Sequence, residues 1–352
     1  MSNRAKTLRS CVMVTVYPSS FAVIRKDFLP HRLRPVVERS ATLGTSWLIC
    51  IDRLVPSSAN NGSDVDGIIR DIEKAAGGVS NTGQEHGDKE SPWLDAIFVN
   101  FHYLDHMHQP TLVTFDKTIP VFATPEAAGS VRSWGHFDTV ITTHDFEGSE
   151  PLGRDWRDFH PGSRLPAWLS VFRLPGDKEL NFATAIVWSH DAEKNDDTCV
   201  SKPTQKHDVL LNTPHGVSIT APSVRAFFDS TSKFDTRTGG ADKVEVLALL
   251  ASLKDSFSLG MPTTLGISGS LAMERLARPR YWIRSHDTAL TYRGIFSRLA
   301  RAIDVERTLD DGLEAEARAH RKTDGEGERR RPNLVDVRSG ECFVLGLASQ
   351  WE

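Results

Sequence analysis

Three short apolar runs in this chain each end directly in a loop that carries a histidine: Asp105-His106-Met107-His108, Pro214-His215-Gly216 and Ser285-His286-Asp287. Rigid strands fix the loops that follow them, so residues at strand ends can be brought together from distant parts of a sequence. Imidazole and carboxylate are the side chains that zinc and related divalent ions prefer, commonly as three protein ligands plus an open position. Asp105, His106, His215 and His286 supply such a set. By residue type alone, each histidine is equally compatible with an ordinary hydrogen-bonding role in a loop. That bland role is the expectation for His31, His86, His136, His144, His160, His190, His207 and His320.

The runs that must position these loops read as strands. Asp95–Asn100 precedes the first, Asp208–Asn212 the second and Tyr281–Arg284 the third. Between residues 95 and 142 strand and helix patterns alternate. A strand at 120–123 is followed by Thr124-Pro125-Glu126, an N-cap, a proline at the first helical position and an acid in the first turn. Upstream, 11–17, 20–25 and 47–52 read as three strands of an antiparallel meander. Further strands are expected at 167–173, 183–188 and 341–347. Helices are expected around 110–116, over 241–256, where Val244, Leu247, Ala248, Leu250 and Ala251 fall at helical spacing, over 270–277 and over 294–302. Residues 56–91, with one helix-like patch from Val65 to Ala76, and 190–207 read as surface insertions. The charged segment 314–333 reads as helical and then disordered. The whole of 1–352 is expected to form a single α/β domain.

Composition narrows the function classes. The chain of 352 residues has 39% hydrophobic and 25% charged residues and a formal net charge of −4, enough apolar material for a large core and no basic surplus of the kind that nucleic acid selects. The one dense basic run, Arg329-Arg330-Arg331, adjoins acids from Asp324 to Glu328 and reads as a solvated loop. The four cysteines, Cys11, Cys50, Cys199 and Cys342, show no metal-knuckle or redox spacing. No stretch approaches the roughly 20 apolar residues of a membrane span, so a cytoplasmic protein acting on a small molecule, without nucleic-acid or membrane partners, is expected. There is no Gly-rich nucleotide fingerprint and no nucleophile elbow; Ile267-Ser268-Gly269-Ser270-Leu271 reads as a loop lining the site.

The histidine loops also carry a resemblance. The run from Asp95 through Leu104-Asp105-His106-Met107-His108-Gln109-Pro110-Thr111-Leu112 is similar to the metal loop of the metallo-β-lactamase superfamily. It is closest in wording to a fungal branch that reads Asp-His-Cys-His followed by Thr-Leu. Pro120–Ala123, Ser133–Phe137, Thr213–Gly216 and Tyr281–Asp287 fit the same branch in order and spacing, over about residues 90–300. The resemblance implies a four-layer αββα fold of the α+β class, a β-sandwich flanked by helices. It also implies that this chain departs from the superfamily's ligand set. Phe101 and Tyr103 stand where the two leading histidines would be, Asn181 where the third-motif histidine would be, and His215 where a bridging aspartate would be.

What survives is Asp105, His106 and His286, with His215 as a fourth ligand, holding one divalent ion (zinc first, manganese or iron otherwise). His215 and Asp105 are the candidates for catalysis, and His108 and Asp287 for support behind the ligands, Asp287 through the ring N–H of His286. The implied reaction is hydrolysis of an ester, lactone, thioester or amide of a small organic metabolite, in the setting of fungal secondary metabolism. Two other readings share these residues: a metal-independent lyase or isomerase using His215 and His286 for proton transfer, and a non-catalytic binding protein of the same fold. Phe101 and Tyr103 serve either as an apolar pocket wall or as packing beneath the loop.

Overall fold

The computed structural model describes residues 12–15, 21–24, 43–45, 49–53, 59–75, 91–103, 106–147, 156–162, 164–190, 206–232, 243–287, 290–293, 301, 303–321, 330–337, 343 and 345. These form a mixed α/β fold with several sheets. The chain divides into two compact units, one of residues 1–35 and 58–142 and one of residues 36–57 and 143–352.

The first four strands are β1 (Val12–Thr15), β2 (Phe21–Ile24), β3 (Leu43–Thr45) and β4 (Ile49–Arg53). β1 and β2 form an antiparallel hairpin, as their β-branched runs suggested. The expected meander does not extend to the third run: β4 instead lies between β3 and β15 (Leu290–Arg293) in a sheet of the second unit. Local pattern identifies a strand but not its partner, because pairing across 240 residues is settled by tertiary packing.

In the first unit α1 (Gly62–Ala75) places Val65 and Ile69 in the core, so this part of the 56–91 stretch is built into the unit. β5 (Ile97–Val99), the short helix α2 (Gln109–Leu112), β6 (Val121–Ala123), α3 (Pro125–Ser133) and β7 (Val140–Thr142) follow. The three strands pair in parallel in the order β5-β6-β7, matching the alternation read from the sequence. α3 starts where Thr124-Pro125-Glu126 places it, yet the Thr124 hydroxyl makes no capping bond. The proline φ and the acid in the first turn suffice to set the start.

The second unit is built on a six-stranded sheet in the order β17-β14-β11-β10-β9-β8. Its strands are β8 (Leu169–Pro175), β9 (Phe182–Ser189), β10 (Lys206–Thr213), β11 (Lys243–Ala251), β14 (Tyr281–Arg284) and β17 (Leu334–Val335). β8, β9 and β10 are antiparallel, whereas β10, β11, β14 and β17 run parallel. A small sheet of β13 (Met261–Pro262), β12 (Asp255–Ser258) and β16 (Ile303–Val305), and the helices α4 (Pro222–Ser232), α5 (Gly266–Ala277) and α6 (Leu309–Arg321), complete it. Its core joins Phe172, Leu211, Phe227, Leu249, Ile267 and Trp282.

Two helix expectations need correction here. Residues 243–251 are a strand, not part of a helix over 241–256. From Val246 to Ala251 every residue is buried, because β11 is paired on both edges and covered on both faces. An interior parallel strand therefore reads as a continuous apolar run, which mimics helical spacing. Conversely, Ile267–Leu271 is not a loop lining the site but the first turns of α5, where Ile267 and Leu271 enter the core and Ser270 donates to Ser252 O at 2.7 Å.

The basic run near 330 is also more than a solvated loop. Arg330 pairs with the buried Glu274, and Arg331 lies 2.6 Å from Asp310, fastening this stretch to α5 and α6. The helical part of the charged segment is α6, while 322–329 lies outside the described residues, as do all but residue 301 of the helix expected at 294–302, most of the strand expected at 341–347, and residues 191–205. Cys50 lies in β4, and Cys11, Cys199 and Cys342 fall outside the described residues. Among the described residues no helix is long and apolar enough to cross a membrane.

Candidate functional site

The second unit brings two of the expected residues together. His215 follows β10 and His286 follows β14, two parallel strands with β11 between them. Strands twice removed lie about 9.6 Å apart, so the two loops must lean over the end of β11 for their side chains to meet. They do: the rings are edge to face, with centroids 4.6 Å apart and planes at 69°, and a nitrogen of each lies within 4.8 Å of the other. Both are partly exposed. The site is therefore at the carboxyl edge of the parallel strands, where α/β sheets collect functional groups.

The bend that carries His286 inward is a backbone in the left-handed region, φ +64, which costs a residue with a Cβ of the order of 1 kcal/mol. Asp287 holds it there. Its carboxylate accepts hydrogen bonds from Leu253 N at 3.0 Å, Lys254 N at 3.1 Å, Arg284 Nε at 2.8 Å and the Ser252 hydroxyl. Its oxygens accept from the turn after β11 and from Arg284, so it ties the backbone of the His286 loop to that turn.

The His215 loop is held from another direction. Leu265 N donates to His215 O at 2.9 Å, and Gly216, at φ +77, sits against Leu265 so closely that a Cβ would fall 2.8 Å from the leucine's own. Both the positive φ and the missing room require glycine there. Gly216→Ala is expected to cost about 2 kcal/mol or more of stability, since an alanine at a positive φ without space exceeds the ordinary helix or strand penalty. Denaturant unfolding that moves by less than about 0.5 kcal/mol would show that the loop yields freely.

The first unit displays the other histidine loop. It follows β5: His106 lies edge-on to Phe101, with centroids 5.3 Å apart. His108 is at the N-cap of α2, with Nδ1 2.8 Å from Thr111 Oγ1, so it secures the loop to that helix. Phe101 is fully buried and is packing beneath the loop, whereas Tyr103 is 41% exposed. Asp105 lies outside the described residues. Burial pushes the His106 pKa down from 6.5 to about 4, so the imidazole is neutral, the form that ligates metal, at any pH near 7.

That depression has a consequence for stability. The folded chain refuses a proton that the unfolded chain accepts below pH about 6.5, so stability present at neutral pH is lost as pH falls through the window from 6.5 to 4. In the presence of a chelator, the wild type is expected to lose about 2 kcal/mol more than His106→Gln between pH 7 and pH 4.5. Equal losses in denaturant titrations would contradict it.

Four other histidines behave as ordinary hydrogen-bonding residues. His136 pairs with Phe115 O, His160 with Pro166 O, and His190 with Asp208. His207 is fully buried between Arg157 and Ser189. By resemblance Asn181 stands where a ligand is missing. The structure gives it a contact: its Nδ2 donates to His215 O and Gly216 O, at 3.3 Å each. No sequence signal marks such a side-chain-to-backbone bond across 34 residues.

Comparison with known proteins adds little to this geometry. No family model matches the chain, and no curated protein matches it. Among solved structures, an isothiocyanate hydrolase from Delia radicum gut bacteria is similar over 76% of this chain and 89% of its own, at 11% identity and a TM-score of 0.38. A possible metal-dependent hydrolase from Veillonella parvula DSM 2008 is similar over 71% and 75%, at 13% identity and a TM-score of 0.35. Likenesses at this level carry no argument about chemistry.

Proposed function

We propose that the chain is a metal-dependent hydrolase of small organic esters, lactones or thioesters, with one divalent ion held by His215 and His286 and with Asp105 and His106 as the further ligands that the sequence resemblance assigns. The observation that carries this reading is the meeting of the His215 and His286 rings, 4.6 Å between centroids, at the carboxyl edge of the parallel strands. The donor set fits: two imidazoles meet edge to face, and the left-handed backbone at His286 is held by a buried carboxylate that ties its loop to the turn after β11. Zinc, the first choice for imidazole and carboxylate donors, would supply Lewis acidity and lower the pKa of a bound water toward ~7.

The chain's own residues then divide the work. His286 is fixed by the Asp287 clamp and serves as a static ligand. His215 sits on a loop pinned through its backbone carbonyl, and its ring is the candidate to ligate or to take and return a proton. Asp105 is the second candidate for proton handling. An exposed aromatic such as Tyr103 suits an organic substrate of modest size. In this reading the chain is a metallo-β-lactamase-like protein of the αββα class. The narrower assignment, to a fungal branch and to secondary metabolism, rests on the sequence resemblance alone.

The test is turnover of a panel of aryl esters, lactones and thioesters by zinc-loaded protein, by chelated protein and by His215→Ala and His286→Ala. The reading predicts hydrolysis that chelation abolishes and that each variant lowers by at least about a hundredfold. Turnover that survives chelation but not His215→Ala would replace it with metal-free proton transfer by the histidine pair.

A further inference from the structure

The turn between β8 and β9, residues 176–181, is locked at both ends. Gly176 N donates to Asn181 O at 2.8 Å, and Asn181 N donates to Lys178 O at 2.9 Å. A Cβ on Gly176 would collide with the Asn181 carbonyl and come within 3.1 Å of the Val217 side chain, so the turn is pressed against the loop that carries His215. From this rigid turn Asn181, only 6% exposed, sends its amide nitrogen to two consecutive carbonyls, His215 O and Gly216 O. One NH2 group has two hydrogens, and here each is matched to one of the carbonyls at the point where the chain leaves β10. On the third carbonyl-side contact, Leu265 N completes the cradle at His215 O.

We propose that Asn181 is a positioning residue for His215: it acts through the loop backbone, fixing the angle at which the imidazole faces His286, and it is not itself a ligand. Its amide is spent on backbone carbonyls, so it does not stand in for the imidazole that the sequence resemblance leads one to expect there. Residues behind a ligand commonly change metal affinity ten- to hundredfold without touching the metal. The loop contact stands on the structure alone, while its effect on metal affinity rests on the metal site proposed above, and the experiment separates the two.

Two variants remove the donor: Asn181→Asp keeps the shape, and Asn181→Leu keeps the volume without adding charge. The first measurement, on metal-free folded protein, is the His215 ring resonance in NMR spectra, assigned by comparison with His215→Ala. The proposal predicts that it shifts and broadens in both variants, while His136 and His160 stay in place. The second is zinc affinity by chelator competition. A ten- to hundredfold loss is expected in each variant, shrinking to less than about twofold when the same substitution is made in His215→Ala. An unmoved His215 resonance in both folded variants overturns the proposal, as does a zinc loss that persists undiminished in the His215→Ala background. If the wild type binds no zinc, the hydrolase reading fails and the resonance still decides the role of Asn181.

Discussion

Asp287→Ala is expected to lower the stability of the protein by about 3 kcal/mol and to abolish zinc binding. The carboxylate is 6% exposed and satisfies two backbone N–H groups, one hydroxyl and the Arg284 guanidinium. Removing it takes this acceptor from four donors, three of them on the turn after β11, and a buried donor left without its partner costs about 1–3 kcal/mol, more where a charge is involved. Asp287→Asn is the sharper variant. It preserves shape but turns an NH2 group toward N–H donors, so it is expected to recover little. Urea unfolding of the three proteins decides the matter. An alanine variant within about 0.5 kcal/mol of wild type would mean that the clamp does not hold the loop.

His286→Gly is expected to separate stability from function. At φ +64 a histidine pays a strain that glycine avoids, and alanine does not avoid it either. His286→Gly should therefore unfold at higher denaturant than His286→Ala, by about 1 kcal/mol, although glycine elsewhere usually destabilises relative to alanine. Both should lose zinc affinity by at least about a hundredfold, since a ligand matters no less than the groups behind it. Strain retained at a residue whose removal relieves it is the pattern of a functional site. If alanine proves as stable as glycine, the left-handed turn is not strained, and the argument from backbone to function weakens accordingly.

Much of this arrangement was legible from residue order. Strand runs ending at Asn100, Asn212 and Arg284 located the three histidine loops, and Thr124-Pro125-Glu126 located the start of α3, because a proline at the first helical position, an acid in the first turn and strand ends are local signals. The strand β11 was not legible. An interior parallel strand buried on both faces loses the alternation that identifies a strand, and Val244 to Ala251 then fits a helix equally well. The partner of β4 was not legible either, since β15 lies some 240 residues away. At the site, His215 and His286 could be paired by resemblance, but the means of pairing them could not. The Asp287 clamp joins residues 252–254 to 287, and the Asn181 amide joins 181 to 215 and 216. Such bonds use common residue types at separations no motif records.

The measurement that bears most directly on the account is the metal content of purified, untagged protein by elemental mass spectrometry, beside a His215→Ala, His286→Ala double variant shown to be folded. The account predicts about one zinc, manganese or iron per chain in the wild type and none in the variant. No metal in the wild type after incubation with excess ion, or the same metal content in both proteins, would contradict it.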